Sequence, residues 1–419
     1  MTNRRSIVCT LVASLMIALP GTAAAGEPAP VRVVVGSIPA LAVHDRVDPQ
    51  RRGRSPVALP QRPRLAWSKR LPGGIRFAPA VAADGSFFMA LSQGRVARVS
   101  ADGDVLWQRN TGGSAPQVPP AVTSDGSVAV LTGDGELVVI SRGGNVRWRL
   151  RTGLIARRGA ATPLPLDNGS IAIAADRRLM IVDAWGRSVA QARVPFSPAG
   201  GLLPWRGGLL ALSSGGKVAT WEAPARPVSR GSLGGAVADG QALLASDRFL
   251  LAVTDRRNVV ALDLARKRAR TLVSVDGLRT QLDGTLTLAA NGLLWAQGGY
   301  GELIGLDASG RVVRRGALAP LPALPPPVTP PPAKGILTAL KPAVLAPSPP
   351  LIAGPGGRLG FVRASGKVGI VLESGQVQVA SSSFCARPVS VSPAGKGAML
   401  VACRDGTVGR FADLVKDAP

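Results

Sequence analysis

The chain has 419 residues, with 50 Lys and Arg against 25 Asp and Glu, a single His, three Cys and 4% aromatic residues. The single His, His44, stands far in sequence from Cys385 and Cys403, and those two have no neighbouring His or Cys to complete a zinc-type ligand spacing, so neither a His-based triad nor a zinc centre is expected. The formal charge of +25 attracts polyanions, of which the acidic sugars and lipid headgroups of a cell envelope come first and nucleic acid last; a well-solvated basic surface with no dedicated partner is the alternative.

At the N-terminus, Arg4 and Arg5 precede an apolar run at 7–19 and the small residues Ala23, Ala24 and Ala25. This is the pattern of a cleavable signal peptide over 1–25, which predicts a soluble protein exported to the periplasm or beyond. No other stretch approaches the roughly 20 apolar residues of a membrane span. Cys9 lies upstream of the cut, so no lipid anchor is expected. Residues 26–62 are rich in Pro and Arg, including Arg51, Arg52 and Arg54, and contain His44. They read as a disordered arm whose removal costs little stability.

From residue 63 onward one unit recurs. A Gly- or Arg-led apolar strand starts at 94, 135, 177, 216, 257, 301, 366 and 406, with spacings of 39 to 44 residues apart from one of 65. Each unit opens with a short apolar strand, then a turn such as Asp84-Gly85-Ser86, Asp125-Gly126-Ser127 or Asn168-Gly169-Ser170. A second strand, the aligned third strand, another Gly-containing turn and a fourth strand follow. Asp-Gly and Asn-Gly favour tight hairpins because Gly accepts positive φ. Four short strands per forty residues is the size of a propeller blade, and no 3.6-residue period appears. The fold class expected is all-β, an eight-bladed β-propeller of four-stranded antiparallel blades. The last unit ends too early for a good fourth strand, while 64–67 resembles the fourth strands that end in Trp107 and Trp148. The N-terminal strand is therefore expected to close the ring, within a propeller domain over 63–419.

Outside the blades, the Pro-rich insertion at about 320–350 lacks the backbone donors for a sheet and is expected as an extended spacer; a polyproline ligand is the other reading. Cys385 and Cys403 form an even pair in an oxidising compartment and are expected to be bonded, two buried free thiols being the alternative. Trp67, Trp107 and Trp148 share one repeat position, which favours blade packing over stacking on a ligand. Trp185, off that register in the turn at 183–186, is the candidate ligand contact. Asp84 and Asp125 are expected to form turns and not to hold a cation. Neither 354–359 nor Gly216-Lys217-Val218 has the spacing of a phosphate loop.

The pattern Gly-x-Val/Leu-x-x-Leu/Val-Asp/Ser, a Gly-containing turn and Val-x-Trp resembles the quinoprotein-type, PQQ-like propeller repeat, most specifically at 94–107 and 135–148. The resemblance implies eight blades with the Trp between neighbours. It also implies a choice between quinone- and calcium-dependent dehydrogenases and shorter non-enzymatic members, such as the propeller lipoprotein subunit of outer-membrane assembly. The chain resembles the shorter sort, since its one long insertion is the Pro-rich one and it lacks an adjacent Cys pair. The expectation is a monomeric, non-enzymatic scaffold with no cofactor and no metal, holding envelope or secreted proteins. A binder of anionic polysaccharide or lipid headgroups is the alternative, and a quinone-dependent dehydrogenase the least favoured.

Overall fold

The structure, a computed structural model, describes residues 40–222, 226–274, 281–298, 301–318 and 348–413, with side chains except at 158, 226–229 and 238–240. The expected signal peptide at 1–25, the arm up to residue 39 and the insertion at 319–347 lie outside the described residues.

The described chain is all-β. Its helix is limited to two single 3-10 turns, Ser92–Gly94 and Ala156–Arg158. The strands form antiparallel meanders in chain order. The first runs Ala80–Ala82, Phe87–Leu91, Arg95–Val99 and Val105–Asn110, with Ala40–Ala42 added beside Ala80–Ala82. Two later meanders, opening at Ala160–Pro165 and Ala199–Trp205, are joined by a parallel bridge between Thr162 and Gly201 into one eight-stranded sheet. In the final sheet Pro388–Pro393, Ala398–Cys403 and Thr407–Asp413 are completed by Pro63–Arg70, which pairs from Pro63 opposite Asp413 to Arg70 opposite Thr407.

First strands of successive meanders lie side by side, and Ala40–Ala42 touches both Ala80–Ala82 and Pro388–Pro393, bringing first and last together around a common axis. Burial follows from this arrangement. A sheet covered on both faces reads as an unbroken apolar run, and Phe87–Leu91, Val128–Leu131 and Ile171–Ala175 are buried at every position. The fourth strands lie outermost, so Val146–Arg151 and Ser188–Arg193 are mostly exposed. Turns between first and second strands follow one scheme. In the first, Asp84 Oδ1 accepts the Ser86 N–H (3.0 Å) while Gly85, at φ +77°, donates to the Ala82 carbonyl (3.0 Å). Asp125 and Asn168 cap the equivalent turns through Ser127 and Ser170.

Residues 40–62 correct the expected disordered arm. Leu41, Val43, His44, Arg46, Val47, Arg51 and Leu59 are all buried. Their backbone bonds the ring from within: Val43 O accepts from Val122 N, Gln50 O from Leu244 N, Arg52 O from Leu288 N, Gly53 O from Ala353 N and Ala58 O from Gly397 N. The Arg residues that suggested a solvated arm are instead bonded to carboxylates, side-chain amides and carbonyls that the ring and the segment itself supply at the axis.

Candidate functional site: the central cavity and its plug

The segment turns sharply to fit the axis. Val47, Arg51 and Gly53 have positive φ (70°, 60° and 72°), and Val43 N–H donates to Val47 O at 2.9 Å. A β-branched residue such as Val47 reaches that conformation only when its surroundings hold it there, at a cost of roughly 1–3 kcal/mol. The holding contacts are ionic. Arg51 forms a two-pronged bond to Asp45 (Nη1–Oδ1 3.0 Å, Nη2–Oδ2 2.9 Å), and Nη2 also donates to Gln241 Oε1 at 2.7 Å. Asp48 accepts from Arg52 Nε at 3.3 Å and from Arg54 N–H at 3.2 Å, while Arg54 Nη2 donates to Ala289 O at 2.9 Å. Arg46 Nη2 donates to the Leu286 carbonyl.

Burial sets the charge states. It pushes the Asp45 carboxyl up, but the Arg51 charge and bonds from His44 and Arg51 outweigh it and hold Asp45 well below the usual carboxylate range. Burial lowers the His44 imidazole against the raising effect of Asp45, so the single His is neutral at pH 7. It also brings the Arg46 guanidinium down to about 10, which leaves it charged. The plug thus pairs Arg51 with Asp45 and Arg52 with Asp48 and holds its imidazole away from solvent, while His44 Nε2 and Arg51 Nε are buried without a hydrogen-bond partner among the described residues.

Above the plug lies a cavity of about 520 Å³. Asp45, Arg46 and Val47 line it together with residues from several sheets, among them Arg76, Thr162, Gln241, Asp283, Ser390 and Arg404. Burial raises Asp283 to about 6, only partly opposed by bonds from Ser348, whose N–H is 3.3 Å from Oδ2. Arg76 and Arg404 are exposed. The cavity can therefore hold a small polar group or the tip of a partner's loop. Among the described residues no cluster of three or more His, Cys, Asp or Glu could hold a metal ion.

The tryptophans singled out in the sequence occupy one geometry. Trp67 Nε1–H donates to Ala101 O, Trp107 Nε1–H to Arg142 O and Trp148 Nε1–H to Ala184 O, each at 2.9 Å and each across to a turn of the next sheet. Beneath each indole sits a glycine at positive φ: Gly103, Gly144 and Gly186, where an added Cβ would meet the ring at 3.1, 2.8 and 2.8 Å. Trp185 stands in the turn that receives Trp148; it is 73% exposed, with the Arg187 guanidinium 5.4 Å from its ring. It is not among the residues lining the cavity. Cys385 and Cys403 are bonded, with Cα atoms 6.3 Å apart. Asp84 and Asp125, besides capping turns, pair with arginines: Asp84 with Arg98 (2.9 Å) and with Arg142 of the next sheet (2.5 Å), Asp125 with Arg147. Sequence reasoning missed the plug. Its signal was the alternation of aliphatic Leu41, Val43 and Val47 with charged residues, which a mobile arm does not need. Trp205, outside the repeat register, likewise bridges sheets through Nε1–H to Asp247 O at 2.8 Å.

Repeated four-stranded meanders around an axis define the class as a β-propeller, and comparisons with known proteins agree. The family model described as "Outer membrane protein assembly factor BamB" matches residues 52–203 and 92–274, more than half of the chain. The chain belongs to this family of PQQ-like propellers. Among solved structures it is similar to BamB from Moraxella catarrhalis, with 16% identity and a TM-score of 0.58 over 84% of this chain and 99% of that one. A computationally designed protein, Ika8, aligns at 13% identity with a TM-score of 0.60, covering 82% and 98%. The quinohemoprotein alcohol dehydrogenase ADHIIG from Pseudomonas putida HK5 aligns at 13% identity with a TM-score of 0.61, covering 93% and 84%. The same fold thus occurs in an enzyme and in an assembly factor. No curated protein sequence gives a match.

Proposed function

We propose that this chain is an exported, non-enzymatic protein-binding scaffold of the bacterial envelope. Its propeller has eight blades, and the N-terminal strand Pro63–Arg70 closes the ring. The observation that carries the reading is membership, over more than half of the chain, of the family described as an outer-membrane assembly factor. The pairing of Pro63–Arg70 with Thr407–Asp413 supports the closure, and the division of the eight-stranded sheet into two meanders supports the blade number. Placing Cys385 and Cys403 within bonding distance suits an oxidising compartment. The plug favours a scaffold over a dehydrogenase, because the chain's own Asp45 and Arg51 occupy the axis. Trp185 is proposed as a partner contact on the turn face.

The test is crosslinking in the envelope fraction, followed by washes at low and high salt and by direct binding of each recovered protein to the purified chain. A discrete protein that survives high salt and binds the purified chain, less tightly after Trp185→Ala, is expected. Recovery of no directly binding protein overturns the scaffold reading. An N-terminus at Gly26 on the chain recovered from that fraction is expected if it is exported as proposed.

A further inference from the structure

We propose that the outer rim of the propeller is a binding belt for a linear, carboxylated polysaccharide, an activity beyond protein scaffolding that rests on the proposed export only for where the polymer is met. The outermost strands of the sheets are Pro63–Arg70, Val105–Asn110, Val146–Arg151, Ser188–Arg193, Arg226–Ser232, Arg268–Ser274, Val312–Ala317 and Val377–Ser381. Together they contain fourteen Arg and Lys and no Asp or Glu, and only Val377–Ser381 lacks a cation. Arg64, Arg151, Arg193, Arg268, Arg270 and Arg314 are exposed and make no ion pair with a carboxylate among the described residues. The chain's carboxylates lie elsewhere, many of them capping turns.

Protection of sheet edges from aggregation explains charge on these strands but not its uniform sign, because Glu and Lys mixed would serve equally and would not repel one another. On Val146–Arg151, Arg147 and Arg149 already pair with Asp125 and Glu136, which leaves Arg151 as that strand's charge open to an anionic partner, like Arg268 and Arg270 at alternate positions of their own strand. The cations follow the circumference, so a planar membrane reaches only a few at a time whereas a flexible chain can track them. Nucleic acid would gain from stacking, but the rim indoles Trp67, Trp107 and Trp148 are committed to the neighbouring sheets. Between the cations stand exposed Leu65, Val105, Leu106 and Val189, at 42–50%. Such aliphatic side chains suit the C–H faces of sugar rings better than a phosphate backbone.

Binding of the full chain to alginate, neutral dextran, a single-stranded oligonucleotide and phosphatidylglycerol vesicles tests this. Two variants each remove four positive charges: Arg268→Gln, Arg270→Gln, Arg314→Gln and Arg315→Gln on the rim, or Arg177→Gln, Arg206→Gln, Lys217→Gln and Lys396→Gln away from it. The expected result is preference for alginate, weakened about tenfold in the rim variant, as four exposed ion pairs would supply, and far less in the other. Alginate should also protect the rim arginines of the unmodified chain from phenylglyoxal, a readout that does not depend on the variant folding. Equal losses in both variants, no protection, or tighter binding of the oligonucleotide, vesicles or dextran would overturn the proposal. A protein partner found or not found by crosslinking bears on the scaffold reading and leaves this one untouched.

Discussion

Asp45 and Arg51 sit where water cannot compensate either charge alone, with side chains 14% and 1% exposed. Asp45→Asn leaves the guanidinium buried and unpaired, and it should cost about 3–5 kcal/mol in urea unfolding, while the double variant with Arg51→Met should lose less. The folded pKa of Asp45 is depressed, so its contribution is present above the unfolded value near 4 and fades as pH falls below it. Asp283 acts in the opposite sense. Its folded value of about 6 exceeds the unfolded one, so the native state holds the proton more tightly and stability declines as pH rises from about 4 to 6, then levels off. Asp283→Asn should abolish that decline and be the more stable form at pH 7, by on the order of 1–3 kcal/mol. A parallel decline in the variant would show that another group is responsible.

Between elements, an indole over a glycine is the repeated joint. Gly144 has φ +90° and lies 2.8 Å, by its would-be Cβ, from Trp107. Gly144→Ala therefore meets both backbone strain and a ring, while Trp107→Ala removes a packed side chain at about 3–5 kcal/mol. The two changes share one contact, so the double variant should lose clearly less than the sum, and additivity would mean that the ring and the turn do not meet. The plug changes what truncation should do. On sequence alone, deletion to residue 62 was expected to be nearly neutral. With Leu41, Val43, Val47 and Leu59 buried, deleting 40–62 should cost several kcal/mol before Pro63–Arg70 is touched. Thermal unfolding of that truncation against one ending at residue 39 separates the two outcomes. Cys385 and Cys403 join adjacent strand regions of the final sheets, and Cys385→Ser with Cys403→Ser should lower stability by about 2–4 kcal/mol, measured by urea unfolding under non-reducing conditions.

For the whole molecule, the third strands aligned from 94 to 406 were legible in the sequence because a sheet covered on both faces demands a continuous apolar run, and because most of the hairpins place a Gly at a fixed offset, with Asp176-Arg177 and Asp255-Arg256 taking the positive-φ turn in two units. Trp67, Trp107 and Trp148 were legible for the same reason, since a repeated contact repeats its residue. Residues 40–62 were not. Local composition gives a Pro- and Arg-rich stretch no core of its own, and only a ring whose first strands converge can surround it with Gln241, Leu286 and Ala289 from 190 to 240 residues away. The cavity depends on the same convergence, as does the raised Asp283, which nothing in its neighbouring sequence marks. The rim belt lies between these cases: the sequence fixes which strands are cationic, and the fold decides that those strands are outermost. Local periodicity thus determined the strands, turns and repeat, because those forces act within a few residues; the plug, cavity and belt required the tertiary fold, which sets burial and dielectric only once distant strands have met.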